Sequence, residues 1–226
     1  MGGMKKEYRP LPGSTGGLTV LGSAVLAFAA AGDIGTIVIV VPHDSENGES
    51  AARAALPPDL FEGKNGSTIH FVPGGKPRRA SVFNALSLVK TLSPAPAFVL
   101  IHDGARPWVS PSLIKRVIAQ VKIHHAVIPL LPVTETPKET DAPLFDDAPV
   151  FIKRHLRRAL VGAAQTPQAF AFPEILAAHE KAAGQEDSTG FEFTDDAEVW
   201  ASFCGPVAAI PGEPENRKIT FPEDLV

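Results

Sequence analysis

The sequence predicts an α/β protein built on a doubly wound, mostly parallel sheet. Two observations carry that expectation. Short apolar runs closed by Gly or Pro alternate with segments of helical spacing along most of the 226 residues. The most apolar run, Phe98 to Ile101, leads directly into His102, Asp103, Gly104, Ala105 and Arg106 before Pro107 stops it. Such a run reads as a buried parallel strand, and ligands in open α/β sheets sit beyond the carboxyl ends of the strands.

Residues 1–17 are Gly-rich and basic without periodicity, and read as loop. Residues 18–31 place Leu21, Val25, Leu26 and Phe28 at helical spacing, with Gly32 as a stop. Residues 36–41 form a buried strand ending at Pro42, and 50–56 suit a short helix. A strand over 69–72 runs into Gly74, Gly75, Lys76, Pro77, Arg78 and Arg79, followed by a helix over 81–92. After the central strand come a helix over 111–121 with Pro near its start and a strand over 126–131. Residues 134–158 break the rhythm with Pro137, Pro143 and Pro149, acidic residues early and a basic cluster late. A stretch this long reads as an extended arm, in which residues 150–152 could pair as a strand. Helices follow at 173–183 and 195–203, with Thr194 a candidate N-cap, then a strand at 207–210. Another helix starts near Pro222.

Bulk composition narrows the function classes. A net charge of −4 argues against a nucleic-acid binder that works by bulk charge. The single cysteine, Cys204, forbids an internal disulfide and fits a reducing compartment, so a cytoplasmic protein is expected. No apolar run approaches the roughly 18 residues that span a bilayer, and Lys5 and Lys6 have no apolar segment behind them as a secretory signal would.

Asp103 can hold a hydroxyl or a metal-bound water, and Arg106 can grip a phosphate with two parallel hydrogen bonds. The same segment also reads as a strand-end turn with a solvated ion pair. Gly74 and Gly75, with Ser81 opening a helix, make a turn whose amides can face a ligand, or a plain tight turn. There is no Walker-type loop, no GxGxxG after a first strand, and no convincing nucleophile. His124 and His125 have no nearby acid to build a metal site with them, and Gly13 to Gly17 is a surface turn. What recurs is threonine beside charge at element ends: Thr136 with Lys138, Thr166 with Gln168, Thr194 with Asp195, and Lys218 before Thr220. Small hydroxyls with Lys and Arg suit a phosphorylated polyol.

Read together, the segments resemble the 2-C-methyl-D-erythritol 4-phosphate cytidylyltransferase family of the non-mevalonate isoprenoid pathway. The matching pieces are Gly74-Gly75 with Arg78 and Ser81, the run His102 to Pro107, Pro132 to Lys138, Arg158 ahead of Thr166 to Phe170, Thr194 to Ala197, and Asn216 to Thr220 with Pro222 to Leu225. The resemblance covers nearly the whole chain. It implies a Rossmann-like fold, a single nucleotidyltransferase domain over 1–226, and an arm over 134–158 that interlocks with its copy in a homodimer. It implies attack of the sugar phosphate on the α-phosphate of CTP, with Mg²⁺ held mainly by the nucleotide phosphates and no protein metal ligands. By similarity, Lys6 and Lys218 are catalytic, offsetting charge on the α-phosphate. Gly74, Gly75, Ser81, Asp103 and Gly104 bind the nucleotide, and Asp103, Arg106, Thr136, Arg158, Thr166 and Thr194 bind methylerythritol phosphate, Arg158 from the partner subunit. No nucleic acid and no membrane partner are implied.

The chain departs from the family pattern in several places. The family opens with a central strand and a Gly-rich loop carrying an Arg, whereas this sequence opens at Met1, Gly2 and Gly3, just past that point. The expectation is therefore that Met1 is an internal methionine, that a sheet without this strand leaves both neighbours unpaired and apolar, and that the chain as written binds CTP poorly. An N-terminus at Met1 in the native protein, found by mass spectrometry, would remove that expectation. Lys76 stands where the family often has Asp, Glu135 for Asp, and Arg217 for an apolar residue, and the C-terminus lacks a closing helix. A ribitol-5-phosphate-type cytidylyltransferase and an inactive homologue kept as a dimerising or regulatory protein are the alternatives, with a non-enzymatic binding module behind them.

Overall fold

The computed structural model describes residues 5–43, 47–62, 66–144 and 148–225. The parts of the expected N-terminal loop and arm at 1–4 and 145–147 lie outside the described residues.

Helix α1 (Val20–Ala31) starts where the Thr19 side chain accepts from the Gly22 amide at 2.9 Å, and stops at Gly32, whose φ of 71° suits glycine. Strand β1 (Thr36–Val41), helix α2 (Gly48–Ala54) and strand β2 (Thr68–Pro73) follow. Helix α3 (Arg78–Lys90) leads to β3 (Phe98–Ile101), then α4 (Pro111–His124) and β4 (Ala126–Pro132). Ser110 caps the Leu113 amide at 3.0 Å, Pro111 takes the first position of α4, and His125 ends it in the left-handed region. The short strands β5 (Lys138–Thr140), β6 (Ile152–His155), β7 (Gly162–Ala164) and β8 (Gln168–Ala171) precede helices α5 (Glu174–Thr189) and α6 (Asp196–Phe203) and strand β9 (Ala208–Pro211).

The expected α/β, mostly parallel architecture is present, with one feature the sequence reading lacks. β1 pairs with β2 in parallel, as β4 does with β9. Between β3 and β4 lies β8, antiparallel to both, and β7 runs antiparallel along β4. β8 is only four residues long and hides inside the segment read as a substrate motif. Its alternation shows how it builds the core. Phe170 packs with Leu86, Ile175 and Trp200 under α3, α5 and α6, and stacks on the Trp200 ring at 5.6 Å. Ala169 faces the other way, to Leu113, Ile114, Val117 and Val121 of α4. Helices therefore cover both faces of this part of the sheet.

β1 and β3 behave differently from the buried strands expected of them. Among the described residues β1 pairs only with β2, and β3 only with β8. A cavity of about 980 Å³ separates them, lined by Ile37, Ile39, Val99, Ile101, Phe28 and Leu86. All four residues of β3 are half-buried, and Val40 on β1 is 36% exposed. Apolar side chains and open strand edges therefore face this cavity.

β5 and β6 pair antiparallel, with every residue of β6 exposed. Strand pairing starts at Ile152 and runs on to His155, later than the expected 150–152, although Phe151 still accepts from the Asp141 amide at 3.1 Å. Thr194 is not the N-cap of α6. Asp195 is, accepting from the Glu198 amide at 2.9 Å, while the Thr194 hydroxyl donates to the Glu198 carboxylate at 2.8 Å. Asp195 prevails because its carboxylate reaches the first-turn amides as an anion at the positive end of the helix.

Candidate functional site at the tip of the third strand

β3 delivers His102 to Arg106 to the end of the sheet, and two later segments close over them. From one side comes Thr166, just before β8. The Asp103 amide donates to Thr166 Oγ1 at 3.0 Å, and the hydroxyl lies 2.9 Å from His102 Nδ1. Burial pushes His102 down to about 4, so the ring is neutral near pH 7. A neutral ring that accepts at Nδ1 carries its proton on Nε2, which lies 3.2 Å from the Arg106 carbonyl and donates to it. The strand tip is thus clamped into one conformation by a chain of bonds from Asp103 through Thr166 and His102 back to Arg106.

From the other side comes the segment after β9. Lys218 Nζ lies 3.3 Å from Asp103 Oδ2, and Arg106 Nε lies 3.5 Å from the same oxygen. Arg106 also donates to the Asn216 carbonyl at 2.9 Å. Burial alone raises the Asp103 carboxyl, but Lys218, Arg78 and Arg106 outweigh it and hold the group below its ordinary value. Ile219 donates from its amide to the Ala105 carbonyl at 2.8 Å, and Lys6 Nζ donates to the Ile219 carbonyl at 2.8 Å. Both ends of the described chain are therefore laced to the tip of β3.

A second cavity, about 450 Å³, opens beside this cluster and is lined by Tyr8, Val41, Gly74, Gly75, Ser81 and Gly104. The two glycines serve close packing. A Cβ on Gly74 would stand 2.9 Å from Ser81 Oγ and 3.2 Å from the Val41 carbonyl oxygen, and one on Gly75 would collide with Ala80. Their amides do not face the cavity as free donors. Gly74 N–H is bound to Val41 O at 2.7 Å and Gly75 N–H to Ser81 Oγ at 3.0 Å. What the turn offers a ligand is its shape.

The residues singled out in the sequence fall into three groups. Asp103, Arg106, Thr166, Lys218 and Lys6 converge, with Gly74, Gly75, Ser81 and Gly104 around the adjoining cavity. Arg158 and Thr136 lie elsewhere, exposed on the arm side, where Arg158 donates to the Thr134 carbonyl at 2.8 Å. Thr194 is exposed at the start of α6. Sequence reasoning missed Gln165, 3% exposed, which accepts from the Glu213 amide at 3.1 Å and donates to the Asn216 carbonyl at 3.1 Å. Asn216, fully buried, donates to the Thr166 carbonyl at 2.8 Å. These amides join the two closing segments, and a lone Gln or Asn beside a motif carries no signal of such a partner 50 residues away. Among the described residues no group of three or more His, Cys, Asp or Glu could hold a metal, and Asp103 is the carboxylate on which Lys218 and Arg106 converge.

The 2-C-methyl-D-erythritol 4-phosphate cytidylyltransferase family model matches residues 2–226. A bifunctional IspD/IspF enzyme of Bradyrhizobium sp. (strain ORS 278) is 39% identical over 99% of this chain and 51% of its own length. The chain thus spans about half the length of the curated relatives it matches. Among solved structures, the 2-C-methyl-D-erythritol 4-phosphate cytidylyltransferase of Thermus thermophilus aligns with a TM-score of 0.70 at 30% identity, covering 97% of this chain and 90% of that one. The 4-diphosphocytidyl-2C-methyl-D-erythritol synthase of Anaerococcus prevotii aligns with a TM-score of 0.74 at 29% identity, covering 94% and 85%. The match over almost the entire sequence, on the fold and motifs described above, places this chain in the 2-C-methyl-D-erythritol 4-phosphate cytidylyltransferase family.

Proposed function

We propose that the chain joins CTP to 2-C-methyl-D-erythritol 4-phosphate, giving 4-diphosphocytidyl-2-C-methyl-D-erythritol and pyrophosphate. The observation that carries this reading is the clamped tip of β3, where Asp103 sits between Lys218 and Arg106 and its amide is held by Thr166. In the reaction an oxygen of the substrate phosphate forms a bond to the α-phosphorus of CTP, and the bond to the pyrophosphate oxygen breaks. No proton needs to move, so the protein's work is positioning and charge.

In this reading Lys218, 45% exposed, faces the α-phosphate, and Asp103 fixes its position from below. Lys6 supports the same phosphate after exchanging its bond to Ile219 O for a phosphate oxygen. Gly74, Gly75 and Ser81 shape the base pocket, Gly104 borders it, and Arg106 and Thr166 hold the sugar phosphate with Asp103. Thr194 reaches the same substrate by releasing Glu198, and Thr136 and Arg158 contribute from the arm of a partner subunit. That assignment treats 1–226 as one nucleotidyltransferase domain with 134–158 as the dimerising arm. Mg²⁺ commonly binds through one or two carboxylates plus substrate phosphates. Asp103 fits that limited role, because both cations approach its Oδ2. When bound, the ion would neutralise phosphate charge. The single Cys204 accords with a cytoplasmic setting, and no helix among the described residues is long and apolar enough to cross a membrane.

Pyrophosphate release from CTP and Mg²⁺, measured with each polyol phosphate in turn, tests the reading. Preference for methylerythritol phosphate is expected. Preference for ribitol 5-phosphate would transfer the assignment to that activity. The open cavity between β1 and β3 favours the inactive homologue as the second reading, and binding of CTP without turnover of either polyol would establish it.

A further inference from the structure

The first turn of α6 lies at the same end of the sheet as Asp103. Gln168, in register with Ile101 of β3, holds it there: Nε2 donates to Asp195 Oδ2 at 2.8 Å and Oε1 accepts from the Ala197 amide at 3.0 Å. This turn presents Asp196, 1% exposed, to Arg78, the first residue of α3, at 2.8 Å. Behind Asp196 is His179, fully buried, with Nε2 3.2 Å from Oδ1 in an off-line contact and Nδ1 without a partner among the described residues.

The neighbouring Arg79 makes an instructive contrast. It is 13% exposed, pairs with Glu186 and donates to the His179 carbonyl at 3.3 Å, so it already ties α3 to α5. Arg78 is 44% exposed and uses one donor on Asp196. A guanidinium has five. Burying a carboxylate carries a large desolvation cost that its partner must offset, and a second helix tie does not require a partner that stands half in water. Arg78 opens α3 three residues after Gly75, and its positive charge helps hold the Asp103 carboxyl below its ordinary value.

We propose that Arg78 is a further anion-binding residue of this cleft, taking a phosphate oxygen of the polyol phosphate, and that Asp196, backed by His179, is the residue that positions it. The inference rests on the cytidylyltransferase reading. It gives a purpose to the two Gln168 bonds that tie the start of α6 to β8.

The test compares the full chain with R78Q, R78K and D196N, using initial rates with CTP and methylerythritol phosphate and calorimetric titration of each substrate alone. R78Q should raise the KM for the polyol phosphate about 10- to 100-fold, the size of a lost hydrogen bond to a charged group, and leave the KM for CTP within twofold. R78K should recover part of the loss. D196N should move the same KM in the same direction, and D196N combined with R78Q should add little to R78Q alone. If D196N does not fold, the R78Q and R78K pair decides. An unchanged polyol KM in R78Q, a rise confined to CTP, or additive effects of R78Q and D196N would overturn the inference while leaving the activity standing. If the wild type binds the polyol phosphate without turnover, loss of that binding in R78Q still supports it. A wild type that neither binds nor turns over overturns the functional reading and this inference with it.

Discussion

The two halves of the sheet are made of similar apolar runs and have different fates. On the β3–β8–β4–β9 side, Phe170, Val127 and Ala169 are fully buried and every strand of that sheet has a hydrogen-bonded neighbour. Across the cavity, β1 and β2 pair only with each other among the described residues, and Thr36, Ile37 and Val38 remain half-buried. The lesson is that apolarity brings a strand to the core, but pairing on both edges is what completes its burial.

Truncation breaks the comparison most sharply. Phe170→Ala should cost about 3–5 kcal/mol, since a fully buried ring on Trp200 leaves a cavity. Ile37→Ala on the open side should cost only about 1 kcal/mol, because half the side chain is already at the cavity surface. Urea unfolding of both variants measures the difference, and equal losses would mean the cavity is closed in solution.

A pH series sharpens the closed half next. His102 sits near 4 against an ordinary 6.5, so the unfolded chain takes up a proton that the folded state refuses. Stability should fall by roughly 2–3 kcal/mol as pH drops through that window, and this loss should end once both states hold the proton. Burial raises the carboxyls of Asp103 and Asp196, but their cationic and hydrogen-bonding partners hold both below the ordinary 3.8, so their contributions are lost mostly beneath that window. Thermal melts of wild type and His102→Gln between these pH values should converge at the acidic end.

A smaller effect separates the neighbours at the start of α6. Asp195→Ala removes a cap that also bonds Gln168 and should cost about 1–2 kcal/mol. Thr194→Ala loses an exposed bond to Glu198 and should stay within about 0.5 kcal/mol. A variant with unchanged stability and impaired turnover would then isolate the role of Thr194 in substrate binding.

Smallest in energy but most direct is hydrogen exchange. The β1 and β3 amides that face the cavity should exchange faster than those of β4, which is paired to β7, β8 and β9. Protection of those amides by an added extended apolar peptide would show that the gap accepts a strand.

Much of this protein was legible in its residues. Apolar period, the Gly32 stop and the Pro near the start of α4 are local, so they mark α1, α4 and the apolar strands without reference to the rest of the chain. The place of Asp103 and Arg106 at the tip of β3 was legible from the apolar run before them, but the same residues read equally as a solvated ion pair, and only the fold brings Lys218 and Thr166 to them. The antiparallel β8, the split in the sheet, the occupied amides of Gly74 and Gly75, and the Asp196–Arg78 pair were decided only in three dimensions. Each depends on a partner remote in sequence, as Arg78 and Asp196 are, 118 residues apart, and a residue's own neighbours carry no record of which distant group will satisfy it.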